Sequence, residues 1–170
     1  MNSPPSPCNS LYVHIPFCKS KCFYCSFVSF EKKESLVPSY LEALKKEAKK
    51  YKGVFLETLY IGGGTPTVLS GEELKFLFSI IHSNFKIADG SEVTLEANPA
   101  TFDFKKAEVL RDLGVTRISL GVQSLNDKYL KWLGRPHTAK EAISSFDLLR
   151  RVGFGNINCD LIYGLPGQDE

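Results

Sequence analysis

Three cysteines fall within eight residues at Cys18-Lys-Ser-Lys-Cys22-Phe-Tyr-Cys25, a C-x3-C-x2-C loop directly after a β-rich segment. Thiolates this close in sequence can converge on one metal centre. A structural zinc site takes four ligands, and no fourth Cys or His follows at zinc-finger spacing. His14 lies four residues before the first cysteine, but alternation places it in the strand. An iron–sulfur cluster with one iron left open fits three ligands better, and an open iron can bind a substrate or cofactor through nitrogen and oxygen. Of the remaining cysteines, Cys8 sits in a Ser/Pro-rich stretch and reads as a surface thiol. Cys159 lies mid-strand, where the expected role is that of a small buried hydrophobe.

A second pattern is Tyr60-Ile-Gly-Gly-Gly-Thr-Pro-Thr67, placed after a short apolar run. Consecutive glycines at a strand end let backbone approach a ligand closely and present N–H and C=O groups. No Gly-Lys-Ser/Thr follows and GxGxxG is not matched, so this is neither nucleotide fingerprint. A tight βα turn alone explains the run equally well. Four polar groups then recur at or just beyond strand ends: Glu96 in TLEANP, Gln123 in LGVQS, Arg135 in LGRPH and Asp160 in NCDLIYG. Parallel α/β sheets bind ligands at that end. Two carboxylates, an amide and a guanidinium suit a zwitterionic ligand with a ribose. Arg135 can clamp a carboxylate in bidentate fashion, Glu96 can hold an ammonium, and Gln123 and Asp160 can bond sugar hydroxyls. Taken singly, each is as readily a satisfied structural group.

The elements that must position these residues alternate between strand and helix patterns. Strands are expected at 10–15, 58–61, 92–97, 115–122 and 156–163, and helices at 40–52, 70–81, 103–113, 125–133 and 138–152. Ser70-Gly-Glu-Glu73 and Thr138-Ala-Lys-Glu141 are capping boxes, and Gly153 stands where the last helix should stop. Helices between strands predict parallel βα units, with strands apolar on both faces. An open doubly wound sheet and part of a βα barrel both fit this pattern. The sequence stops just after the fifth strand, which reads as a portion of a longer protein.

The 170 residues suit a single domain; 43% are hydrophobic, 24% are charged, and the net charge is +2. That balance argues against nucleic acid as a partner. Lys45, Lys46, Lys49 and Lys50 form a solvated helix face, and Phe76, Phe78 and Phe85 read as core. No apolar stretch approaches the roughly 20 residues of a membrane span. Residues 1–10 have no apolar region of a secretory signal and read as a flexible tail. Clustered cysteines without an export signal point to a reducing, cytoplasmic compartment.

Together, LYVHIPFCKSKCFYC, YIGGGTPT, TLEANP, RISLGVQS, LGRPH and NCDLIYGLPGQ resemble the radical S-adenosylmethionine (SAM) enzymes in order and spacing, from Leu11 to Gln168. The subgroup they are most similar to holds oxygen-independent coproporphyrinogen oxidase and the HemW-type haem chaperones. The resemblance implies α/β architecture: parallel βα units forming a partial (βα)6 barrel, here truncated after the fifth strand. Residues 11–170 would be its core, and a C-terminal domain with the haem-binding signature would be absent. It implies a [4Fe-4S] cluster on Cys18, Cys22 and Cys25, with SAM chelating the fourth iron and cleaved to a 5′-deoxyadenosyl radical. Tyr12 would lie beside the cluster and SAM, and Tyr24 would hold the adenine. Gly63, Gly64 and Thr65 would contact the methionine part, and Glu96 its amino group. Arg135 would meet the carboxylate, and Gln123 and Asp160 the ribose.

Coproporphyrinogen oxidases usually carry a further Cys two residues after the third ligand, and here that position is Phe27. This favours the chaperone branch, with haem or porphyrin as ligand and a haem-accepting protein as partner. The alternatives are the oxidase itself, decarboxylating coproporphyrinogen III, and an inactive fragment. Whether the chain is an enzyme stays open at this stage.

Overall fold

The computed structural model describes residues 10–168. The expected tail and Cys8 lie outside them, except for Ser10, which opens the first strand. In chain order the elements are β1 (Ser10–Ile15), β2 (Phe17–Cys18), β3 (Phe30–Glu31), α1 (Val37–Ala48), β4 (Phe55–Gly63), α2 (Gly71–Asn84), β5 (Lys86–Ala97), α3 (Phe104–Asp112), β6 (Arg117–Gln123), α4 (Asp127–Trp132), α5 (Ala139–Val152) and β7 (Asn156–Leu161).

Helix boundaries follow local chemistry. Both capping boxes form: Ser70 accepts from the Glu73 amide while the Glu73 carboxylate accepts from Ser70, and Thr138 and Glu141 do the same for α5. Gly153 ends α5 at φ 102°, a left-handed conformation that costs glycine little. Helix α1 starts earlier than its periodicity suggests, because Pro38 is tolerated in a first turn whose N–H groups have no helical partners anyway.

Strands β1, β4, β5, β6 and β7 form one all-parallel sheet in that order, and β2 pairs with β3 in a separate two-residue bridge. Every strand of the large sheet lies beside its predecessor, so the order never reverses. That excludes the doubly wound alternative, whose ligand crevice needs a reversal. Helix α1 packs on α2, α2 on α3 and α3 on α5, so the crossovers cover one face in succession. This is the singly wound arrangement of a partial βα barrel.

The expectation of strands apolar on both faces is corrected. Leu59, Ile61, Val93, Leu95, Ile118 and Leu120 point to the helices and share one core with Leu74, Leu77, Phe78, Leu110 and Leu149. Alternation puts Tyr60, Thr94, Glu96, Arg117 and Ser119 on the other face. Parallel register aligns them in rows: Tyr12 with Tyr60, Tyr60 with Thr94, Thr94 with Arg117, and Glu96 with Ser119 and then Asn158. The inner face is polar because it lines a cavity rather than a second helix layer. Strand β7, at the sheet edge, is largely exposed, and Cys159 is exposed with it rather than buried.

Leu95 is fully buried in the middle strand. Leu95→Ala should destabilise the chain by about 2–5 kcal/mol, through lost transfer energy plus the cavity left behind. Ile143→Ala, on the exposed side of α5, should change stability by no more than about 0.5 kcal/mol. Urea unfolding of both variants beside the parent checks this.

Candidate functional site

The C-terminal ends of β4, β5, β6 and β7 and the cysteine loop enclose a cavity of about 500 Å³. Its wall contains Cys18, Cys22, Cys25, Tyr24, Gly63, Gly64, Thr65, Glu96, Gln123, Arg135 and Asp160. Of the residues singled out from sequence, Tyr12 alone is not in the wall. It lies on β1 beside Tyr60, its hydroxyl 3.0 Å from His14 Nδ1.

The loop is pinned at both ends. Phe30 N–H donates to Pro16 O at 2.7 Å and Lys32 N–H to Cys18 O at 3.1 Å, around the β2–β3 bridge. At its far side, Phe23 N–H donates to Leu133 O at 3.1 Å, and a Cβ on Gly134 would sit 3.1 Å from the Phe23 ring. Gly134 also has φ 71°. The glycine of LGRPH therefore lets the cysteine loop close down next to Arg135. Among the described residues no three Cys, His, Asp or Glu side chains are grouped so as to share one metal ion. Cys18, Cys22 and Cys25 nevertheless all stand in the one cavity wall, and three thiolates are a donor set that fits a multi-iron cluster with one iron left open.

The glycine run brings β4 against this loop. Gly64 N–H donates to Ile15 O at 2.8 Å, and a Cβ on Gly64 would lie 2.7 Å from Phe17 O and 2.9 Å from Cys18 Sγ. The close approach expected toward a ligand is made here toward the chain itself. Gly63 N–H donates to Glu96 Oε2 at 3.0 Å, and Tyr60 O–H donates to Glu96 Oε1 at 2.8 Å. Burial and the Glu96 charge push the Tyr60 phenol well up, so it stays a donor. Glu96 is thus aimed by two donors with lone pairs left over.

Arg135 is the most connected side chain. Nη2 donates to Asn98 Oδ1 and to Gly121 O, both at 2.6 Å, and Nη1 donates to Cys22 Sγ at 3.3 Å. Nη2 is fully used, so the Nη pair does not present a free bidentate fork. The buried Nε–H has no partner, and Nη1 keeps a second N–H beyond the one it gives Cys22. Asp160 accepts from Ser119 at 3.2 Å and from Asn158 at 2.6 Å. Gln123 has φ 69°, where a side chain is strained, and its carbonyl accepts from Ile162 N–H at 2.9 Å. The Tyr24 phenol is pushed up to about 12, chiefly by burial, with Cys22 and Cys25 adding to it and Arg135 opposing.

Sequence reasoning missed Asn98, Ser119, Asn158 and Tyr60 as parts of the site. Their signal was position: Asn98 follows the strand end in TLEANP, and Tyr60 and Ser119 share the inner face by alternation. His137, buried, places Nε2 3.1 Å from Val122 O.

The sequence profile described as the radical SAM superfamily matches residues 12–170. The chain is 43% identical over 160 residues to the heme chaperone HemW of Lactococcus lactis, covering 94% of this chain and 42% of that protein. It is 38% identical over 164 residues to the heme chaperone HemW of Escherichia coli, covering 94% and 43%. Among solved structures, coproporphyrinogen III oxidase (HemN) from Escherichia coli superposes with a TM-score of 0.85 at 33% identity, over 94% of this chain and 38% of that one. The chain thus spans well under half the length of these relatives. Among the described residues no helix is long and apolar enough to cross a membrane.

The carbonyl of Val122 makes His137 Nε2 the donor, so the neutral ring leaves Nδ1 bare and buried. Burial, then Arg135, depresses its pKa below 6.5. A depressed histidine adds stability that is present above the unfolded value and lost as pH falls through the folded one. Urea midpoints should therefore decline as pH drops below about 6.5, and His137→Gln, which cannot titrate, should reduce that slope.

Proposed function

Because this chain belongs to the radical SAM superfamily, we propose that its cysteine loop holds a [4Fe-4S] cluster through Cys18, Cys22 and Cys25, and that the adjoining cavity binds SAM. We infer further that it serves a cytoplasmic haem chaperone, which binds haem and passes it to an acceptor protein. The observation that carries the cofactor reading is the convergence of all three cysteines with Glu96, Gln123, Arg135 and Asp160 on one cavity.

When bound, such a cluster supplies one-electron reduction next to SAM. The residues would divide the ligand by charge. Glu96, held by Tyr60 and Gly63, would take the amino group. Arg135 would meet the carboxylate through the donors its own chain leaves unused, Nε–H and one Nη1–H. Asp160 and Gln123 would bond the ribose hydroxyls. The Tyr24 phenol, kept protonated by burial, would lie against the adenine. Gly63, Gly64 and Thr65 would flank the methionine part, and Tyr12 would support Tyr60 from the neighbouring strand. Residues 11–170 would act as one radical-SAM core.

The haem-chaperone assignment is supported by Phe27 and by the relatives. Phe27 stands where the related oxidases carry a further cysteine, and it lines the cavity. Several relatives at 36–43% identity are named heme chaperones. The second reading, oxygen-independent coproporphyrinogen III oxidation, draws support from the HemN superposition. Haem retention and coproporphyrinogen turnover, assayed side by side under anaerobic conditions, separate them. Turnover without haem retention would overturn the chaperone reading.

Anaerobic reconstitution should load about four irons and four sulfides per chain. Cys22→Ser should abolish that loading and Cys159→Ser should leave it intact; equal loss in both would refute the ligand set. On the loaded protein, calorimetry should show Arg135→Ala weakening SAM binding more than Gln123→Ala, by about 1.5–3 against about 0.5–1.5 kcal/mol.

A further inference from the structure

Asn98 carries none of the ligand roles assigned above, yet it sits at the centre of the hydrogen bonds behind the cysteines. A guanidinium only donates, so the Asn98 atom 2.6 Å from Arg135 Nη2 has to be Oδ1. Nδ2 then points the other way and donates to Thr65 Oγ1 at 2.8 Å. Thr65, buried, accepts on that side and has its own proton left for Cys18 Sγ at 3.6 Å. The same guanidinium sends Nη1 to Cys22 Sγ at 3.3 Å. The result is a directed path, Arg135 to Asn98 to Thr65 to Cys18, with a branch from Arg135 to Cys22. The fold keeps room for it: a Cβ on Gly121 would lie 2.7 Å from Asn98 Oδ1 and 3.5 Å from Arg135 Nη2.

We propose that Asn98 is a positioning residue that aims two donors, the Thr65 hydroxyl and Arg135 Nη1–H, at the sulfurs of Cys18 and Cys22, and thereby raises the reduction potential of the iron–sulfur group they hold. The inference rests on the cluster reading above. Hydrogen bonds to cluster sulfurs are one of the settings of its potential. A donor on a thiolate favours the reduced, more negative state, so removing it makes reduction harder. In the one-electron couple no atom is transferred to or from Asn98; its effect is electrostatic.

The test is a potentiometric titration of the anaerobically reconstituted chain, after iron and sulfide have been counted. In Asn98→Ala the equilibrium constant for reduction should fall about tenfold, a shift of about 59 mV to more negative potential. Asn98→Asp keeps the acceptor facing Arg135 but has no N–H, so the Thr65 hydroxyl turns to the carboxylate and leaves Cys18. Its potential should also fall, and adding Thr65→Val should then change nothing, because the same bond is already lost. Additive shifts in that pair would overturn the proposal, as would an unmoved potential in Asn98→Ala at full iron content. The Asn98→Asp and Thr65→Val cycle decides the matter even where Asn98→Ala takes up no iron. A parent chain that loads no iron and sulfide would overturn the cluster reading, and this inference with it.

Discussion

The guanidinium of Arg135 reaches three segments far apart in the chain: Cys22 in the loop after β2, Asn98 just past β5, and Gly121 in β6. All of its hydrogen-bonded acceptors are neutral groups or sulfur, and none is a carboxylate. A partly buried cation without a counter-anion is costly, and the cost falls when anionic groups arrive. Thiolates on iron and a ligand carboxylate are groups of that kind. One side chain thus couples the shape of the loop, the ends of two strands and the charge of the cavity. Its own placement depends on α4, whose C-terminal turn carries Leu133, the acceptor for Phe23.

Glycines make this coupling sterically feasible. Gly64, Gly121 and Gly134 each stand where a methyl group would collide with a part of the site: Cys18 Sγ, Asn98 Oδ1 and the Phe23 ring. Gly134 is also held at a positive φ. The three glycines occur in the segments YIGGGTPT, RISLGVQS and LGRPH, which explains why each motif pairs a glycine with a polar residue. The polar residue does chemistry or holds its neighbour, and the glycine lets a second segment come within hydrogen-bonding reach. A turn-forming role alone would not place Gly121 inside a strand, at the point where an amide and a guanidinium meet.

Much of this was legible because it is local. The two capping boxes, the Gly153 stop and the strand cores announce themselves within a few residues, so helices and strands emerge near their expected positions. The cysteine loop and the polar groups at strand ends were legible for the same reason. What escaped depends on register. That Glu96 aligns with Ser119 and Asn158 is a property of three strands at once, and no one segment reveals it. Asn98 escaped because its partners, Arg135 and Thr65, are 37 and 33 positions away. Cys159 departs from its expected burial because an edge strand and a buried one share the same apolar spelling. Side-chain chemistry alone suggests a bidentate Arg135, but both Nη2 protons are committed to Asn98 and Gly121.

The fold by itself does not decide the chemistry. One architecture of this kind hosts many unrelated chemistries. A singly wound parallel sheet collects strand ends on one rim whatever residues occupy them, because each right-handed crossover advances in the same direction. Identity of function has to come from what stands on that rim. On this rim stand a phenylalanine at 27, an amide at 98, and an arginine with three of its N–H groups committed to its own chain. The first bears on what enters the cavity from the loop side, and the other two bear on the cysteines themselves. A rim that binds the same cofactor can therefore differ in how readily that cofactor accepts an electron. The hydrogen bonds from Arg135 and Thr65 to cysteine sulfur are where this chain would exert such control.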